Sequence, residues 1–191
     1  CDLFFCGLDG GSRMYRNLGN WRFEDITERA GAACPKLDAT GAVLADIDGD
    51  RDLDLLVNSI GGGTRVFFND GKGHFNAGQN HLNPGRAGMS LALADADGNG
   101  TLDLYIANYR VSTLMDAPGT RCSVRMVDNQ PVVTSVNGRP LTDPEWTNRF
   151  RFKIEMRPGG RGTFSHEELG EADLFCLNNG QGRFEAVSWT S

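Results

Sequence analysis

Asp46-Ile47-Asp48-Gly49-Asp50-Arg51-Asp52-Leu53-Asp54 places five carboxylates in nine residues. Apolar stretches flank it, Ala42-Val43-Leu44-Ala45 before and Leu55-Leu56-Val57 after. Crowded carboxylates repel one another, and a hard dication with oxygen ligands is the usual reason for gathering them. Acids at loop positions 1, 3 and 5 (Asp46, Asp48, Asp50), with a backbone carbonyl at position 7 (Asp52), match the way a tight loop wraps Ca²⁺. Position 12, where an EF-hand carries its bidentate Glu, is Val57, so closure of the shell falls to Asp54 at position 9. The flanks are short, apolar or β-branched, unlike long amphipathic helices. The stretch reads as a calcium loop joining two strands, against the alternative of a solvated acidic turn.

A second copy decides between them. Asp95-Ala96-Asp97-Gly98-Asn99-Gly100-Thr101-Leu102-Asp103 repeats the pattern at an offset of 49 residues, Asp46 to Asp95. Acceptors recur at positions 1, 3, 5 and 9 (Asp95, Asp97, Asn99, Asp103), with Thr101 at position 7. A further alignment sets Asp54-Leu55 through Asn69 to Phe75 on Asp2-Leu3 through Asn17 to Phe23, at an offset of 52. Asp2 then holds position 9 of a third loop, and the chain reads as a fragment of a longer protein. Asn178-Asn179-Gly180-Gln181-Gly182-Arg183-Phe184 repeats Asn69-Asp70-Gly71-Lys72-Gly73-His74-Phe75. From position 9 to this turn is 15 residues in the middle copy (Asp54 to Asn69) but 75 in the last (Asp103 to Asn178). Roughly residues 110–172 are therefore an insertion.

Periods near 50 residues, made of short strands and Gly turns, point to a propeller with one four-stranded blade per repeat. The expected fold class is all-β: a partial β-propeller of four-stranded blades with Ca-binding loops and a β-rich insertion in one blade. Residues 1–30 would end a truncated blade, 31–84 form a complete one, and 85–191 a blade interrupted at about 110–172. The middle blade's strands are expected at 40–46, 53–59, 64–69 and 74–77. Phe23, Phe75 and Phe184 follow the same turn in each copy and are read as packing between blades. A closed ring takes about four to eight blades, so the first expected partners are the remaining blades of the same propeller.

Composition agrees with a globular domain: 191 residues, 39% hydrophobic, with 25 Gly for many turns. No apolar run approaches the roughly 20 residues of a membrane-spanning helix. Net charge is −6, yet eight of the 25 acids sit in the two complete loops, where bound cations would offset them. The five cysteines (Cys1, Cys6, Cys34, Cys122, Cys176) lack zinc spacing, and their odd number leaves at least one outside any internal bridge. Cys6–Cys34 is the candidate bridge, with the other pairings open. Loops of this kind suit an extracellular or periplasmic setting, where millimolar Ca²⁺ is available and disulfides are permitted.

These loops resemble the FG-GAP/VCBS repeat, the blade also found in integrin α-chain propellers. Asp95 to Asp103 is similar to that family's loop at every ligand position. Tyr15-Arg16-Asn17-Leu18-Gly19 through Phe23-Glu24-Asp25-Ile26-Thr27, and Asp103-Leu104-Tyr105-Ile106-Ala107-Asn108-Tyr109, look most like the secreted ASPIC/UnbV-type proteins related to cartilage acidic protein. The resemblance implies a Ca²⁺-stabilised extracellular propeller used in adhesion or binding, with an extracellular protein or glycan as further partner. One departure is Arg51, where the family's loop usually has Gly, as at Gly100. A left-handed residue with a side chain costs on the order of 1 kcal/mol.

The insertion differs in texture, holding nine basic and eight acidic residues against ten and 17 elsewhere, so its charge is close to balanced. Ser123–Val127 and Pro131–Val136 read as two strands around Asp128-Asn129-Gln130, followed by a turn at Asn137-Gly138. Arg149 to Met156 alternates, with Phe150, Phe152, Ile154 and Met156 on one face and Arg149, Arg151, Lys153 and Glu155 on the other. That basic face reads as a solvated strand and not as a nucleic-acid surface, because the whole chain is acidic and carries no stacking platform. Catalytic signatures are missing too. His74 is matched by Arg22 and Arg183 in the other copies, His166-Glu167-Glu168 lacks the second His of a zinc protease, and no nucleophile motif is present. The expectation is no enzymatic activity in this segment. The alternative is a polysaccharide-interacting module of an extracellular enzyme whose active site lies on other blades or on the insertion.

Overall fold

The computed structural model describes residues 2–9, 11–113, 119–156, 158–159 and 162–188. The chain forms two compact units, Cys1–Val111 with Glu171–Ser191, and Ser112–Gly170.

The first unit holds three antiparallel sheets. Strands β1 (Leu3–Phe5), β2 (Arg13–Asn17) and β3 (Phe23–Asp25) form one in that order, and the four-residue helix α1 (Thr27–Ala30) follows them. Strands β4 (Ala39–Ala45), β5 (Asp54–Ser59), β6 (Gly63–Asn69) and β7 (Phe75–Leu82) form a four-stranded meander. The third sheet pairs β8 (Gly88–Ala94) with β9 (Asp103–Asn108), then with β15 (Leu174–Asn178) and β16 (Phe184–Val187). Its order is the same meander, with the chain leaving after β9 and returning at β15. The all-β, propeller-type reading of the sequence is what the structure shows. The middle strands fall within a residue of the expected positions, save that β7 runs on to Leu82.

Burial follows the repeat. Every residue of β5 is buried, and its two faces serve different neighbours. Leu55 and Val57 join Met14, Ile26, Ala39 and Phe75 in one core, between the first and second sheets. Leu56 joins Ile47, Val66, Leu104, Ile106, Cys176 and Phe184 in another, between the second and third. Phe75 and Phe184 each close one of these seams, at 7% and 6% exposure, whereas Phe23 is 36% exposed. Sheets approach closely where the side chain is absent: a Cβ on Gly41 would stand 3.0 Å from the Met89 carbonyl.

The second unit carries β10 (Cys122–Val127), β11 (Gln130–Val136) and β12 (Arg139–Pro140) as one sheet, the helix α2 (Pro144–Arg149), and the hairpin β13 (Phe150–Met156) with β14 (Gly162–Glu168). Val133, Val136, Trp146 and Phe150 form its core, and the Trp146 and Phe150 rings stack at 5.0 Å. The turn after β10 uses only Asp128 and Asn129, both at positive φ, so Gln130 belongs to the strand. Arg149 ends α2 instead of starting the basic face, and it pairs with Glu168 at 2.8 Å. Arg151, Lys153 and Glu155 are exposed, as their alternation requires. The side chain of Met156 lies outside the described residues, as does Cys1.

The Cys6–Cys34 bridge is not formed. Both are free thiols, as are Cys122 and Cys176. Cys34 is buried in the first core and Cys6 is exposed, yet the two thiols lie near enough for Cys6 to add to the rise in the Cys34 pKa. Burial pushes the Cys34 and Cys176 thiols up to about 11. Alkylation of the native protein should modify Cys6 and spare Cys34 and Cys176 until denaturant is added, as peptide mass mapping would show. Leu56→Ala should lower unfolding free energy by about 2–5 kcal/mol, and the exposed Leu18→Ala by less than about 0.5 kcal/mol, both by urea denaturation.

Candidate metal centres

Each acidic loop is folded onto its own carboxylates. In the first, Asp46 Oδ1 accepts from the Gly49 amide at 2.8 Å and Oδ2 from the Arg51 amide at 3.0 Å. Asp48 and Asp50 accept from the amides of Asp50 and Asp52 at 3.3 and 2.9 Å. The second loop repeats this, with Asp95 accepting from Gly98 at 2.8 Å and Gly100 at 3.0 Å, and Asp97 from Asn99 at 3.1 Å. Position 6 is left-handed in both, at φ 77° for Arg51 and 86° for Gly100. The sequence expectation for Arg51 thus meets the conformation that makes it costly.

These bonds turn the carboxylates inward together. Asp46, Asp48 and Asp50 each offer an oxygen within 4.8 Å of the others, and so do Asp95, Asp97 and Asp103. Asn99 supports the second group, donating to Asp97 Oδ2 at 3.1 Å and accepting from the Thr101 hydroxyl at 2.6 Å. Asp52 takes a different course: its carboxylate lies against the next turn, 2.6 Å from where a Cβ on Gly71 would be. At position 7 a loop of this type uses the backbone carbonyl, so the side chain is released for other work. Burial is the first cause that holds Asp48 above the usual carboxylate range, helped by repulsion from Asp50 and Asp46 and opposed by the Asp50 amide.

Position 9 behaves differently from the rest. Asp54 is fully buried and bridges two parts of its blade, accepting from the Ile47 amide at 3.1 Å and from the Asn69 amide at 2.9 Å. Asp103 does the same with Ala96 at 2.9 Å and Asn178 at 2.9 Å. Asp2 accepts from the Asn17 amide at 2.8 Å, so it holds the equivalent bond in the first sheet. Burial again comes first in raising the Asp54 carboxyl, against the lowering effect of the two amides.

The Asn that opens each turn recurs in the sequence, and only the structure gives it a role. Asn69 donates its side-chain amide to the Leu53 carbonyl at 3.1 Å, and its Oδ1 accepts from Gly71 and Gly73. Asn178 donates to the Leu102 carbonyl at 3.1 Å and to the Ile47 carbonyl of the preceding blade at 2.8 Å. The signal for it is a fixed distance from position 9, 15 residues in both uninterrupted copies, Asp2 to Asn17 and Asp54 to Asn69.

A family model described as an FG-GAP-like repeat matches residues 1–57 and, separately, 46–106. The chain belongs to the FG-GAP-like repeat family. The two matches share residues 46–57, which are the first acidic loop and most of β5. No curated protein matches the chain. FG-GAP-like repeats are typically non-catalytic. The donor set on these loops suits a hard cation: every inward-facing ligand atom is an oxygen, and three carboxylates within 4.8 Å of one another repel less with a dication between them.

Arg51→Gly should relieve the left-handed strain and stabilise the protein by up to about 1 kcal/mol. Urea denaturation would measure it, with Gly100→Arg expected to lose a similar amount.

Proposed function

We propose that this FG-GAP-like chain is a calcium-stabilised propeller segment of a secreted binding or adhesion protein, with the metal structural and not catalytic. The observation that carries the reading is the convergence of Asp46, Asp48 and Asp50, and of Asp95, Asp97 and Asp103, in two copies of one loop. Asp54, Asn99 and the position 7 carbonyls complete the sites. Ca²⁺ bound there would lend its binding free energy to folding, because the ligands come together only in the folded loop. Asp2 would play the part of Asp54 in the first blade.

An extracellular or periplasmic location fits the family's usual setting and the millimolar calcium such sites need. Free thiols are compatible with that setting here, because Cys34 and Cys176 are buried and held protonated. Among the described residues no helix is long and apolar enough to cross a membrane. The likeness of Asp103 to Tyr109 supports a place among ASPIC/UnbV-type proteins. Partners would be further blades of the same propeller, then an extracellular protein or glycan.

Calcium titration by calorimetry should find two sites per chain, one for each carboxylate cluster, and Asp46→Ala should remove one; an unchanged stoichiometry would overturn the first site. Chelation should lower the melting temperature by roughly 5–10 °C per site when calcium had been about 100-fold above its Kd. Identical melting with and without chelator would sink the structural role.

A further inference from the structure

Three Asn-Gly pairs occur in the chain: Asn99-Gly100, Asn137-Gly138 and Asn179-Gly180. An Asn side chain lies within reach of the next residue's backbone nitrogen, which can close a five-membered ring on it, and a following Gly puts no Cβ in the way. The three pairs are chemically alike, so the fold decides between them.

Two of them are tied across a hairpin. Asn137 Oδ1 accepts from the Arg121 amide at 2.8 Å, and its own amide donates to the Arg121 carbonyl at 2.8 Å. Asn179 Oδ1 accepts from the amides of Gln181 and Arg183 at 2.9 and 3.2 Å, and its own amide donates to the Arg183 carbonyl at 3.1 Å. Swinging either side chain onto the following nitrogen breaks a bond that joins two strand ends.

Asn99 is held only from within its own loop. Its Oδ1 accepts from the Thr101 amide at 2.8 Å and hydroxyl at 2.6 Å, and its Nδ2 donates to Asp97 Oδ2 at 3.1 Å. The Thr101 hydroxyl has the Asn178 carbonyl at 3.1 Å as a second acceptor, so releasing Asn99 leaves it partnered. The Gly100 nitrogen donates to Asp95 Oδ2 at 3.0 Å. Asn99 and Gly100 are exposed, and a Cβ on Gly100 would meet nothing within 4 Å. This part of the loop can therefore open without parting two strands.

We propose that Asn99 is the chain's deamidation site, a self-modification that turns the position 5 amide of the second acidic loop into a carboxylate. The Gly100 nitrogen adds to Asn99 Cγ and gives its proton to hydroxide. The Cγ–Nδ2 bond breaks, and Nδ2 leaves as ammonia with a proton taken from water. Water then opens the ring: attack at Cγ gives aspartate, and attack at the Asn99 backbone carbonyl carbon gives isoaspartate. In sum one water is consumed and one ammonia released. Aspartate gives the second loop the acid that the first has at Asp50. Isoaspartate lengthens the backbone and shortens the side chain, which takes the carboxylate out of the inward-facing set. The rate is coupled to the metal reading given above, on which this part rests: Asp95 and Asn99 would both be ligands, so the cation-bound loop holds nitrogen and amide apart.

The intact chain is incubated in mildly alkaline buffer with chelator or with excess calcium, and peptide mass mapping follows aspartate and isoaspartate at all three pairs. In chelator, product should accumulate at Asn99 ahead of Asn137 and Asn179. Calcium at about 100-fold above its Kd should slow Asn99 by about 100-fold, if only the free loop reacts, and leave Asn137 unchanged. Faster product at Asn137 or Asn179 in the chelated protein would overturn the proposal. An Asn99 rate unmoved by calcium that raises the melting temperature would overturn the coupling. A leading Asn99, with calcium acting on neither rate nor melting, would uphold the site and remove only the metal reading.

Discussion

A single buried carboxylate in each four-stranded blade holds that blade in register. Asp54, on a fully buried strand, joins the start of its acidic loop to the turn that ends β6, and Asp103 does the same for its blade. An ionised group out of water is tolerable only when hydrogen-bonded, and two backbone amides supply that. The constraint is strong because it is reciprocal. Removing the acid would orphan two amides, and moving the turn would orphan the acid. Everything else in the blade is arranged around this fixed point: the loop's other acids are outside, and the apolar seams lie on either face of the strand.

This arrangement separates two tasks that the sequence presents as one. Five acids in the first loop look interchangeable on paper. In the folded chain, Asp46, Asp48 and Asp50 face one another, Asp54 is a cross-tie, and Asp52 lies against the neighbouring turn. Electrostatic repulsion is thereby concentrated in three side chains near the surface, where a cation has access, and is kept away from the strand. The second loop divides the work less cleanly: neutral Asn99 replaces one of the repelling acids and bonds to Asp97, and Asp103 is both the cross-tie and a member of the carboxylate cluster.

Much of the blade was legible because its signals are local. The loops, the Asn-Asp-Gly-Lys-Gly turn and the alternating strands each declare themselves within ten residues, and their recurrence assigns the rest. Features that depend on distant partners were not. That Ile47 would be capped by Asn178, 131 residues away, has no trace in either local pattern. That Cys6 is exposed and Cys34 buried is not revealed by their spacing. Helix α2 is a different case, since its start is local: Asp143-Pro144 opens it in the ordinary way, with the Asp143 carbonyl accepting from Thr147 at 3.0 Å. Its six residues are too short for a helical period to stand out from the strands around it. Extension of β7 to Leu82 crosses Gly78, a residue that normally argues against a strand interior.

The place where the chain leaves and re-enters its third blade bears on how the molecule comes together. Strands β4 to β7 are joined by short links, so their pairings are available early to a folding chain. Strand β15 must find β9 across the whole of the second unit, and a tether that long slows the encounter. The entropic penalty grows only logarithmically, at about 0.6 kcal/mol per doubling of the loop. The returning chain is then secured at once, by Glu171 to Tyr109 at 2.7 Å and Asp173 to the Asn108 amide at 2.7 Å. Of the pairings in the two four-stranded sheets, β9 with β15 is the one that spans the longest stretch of chain, and so carries the largest closure penalty.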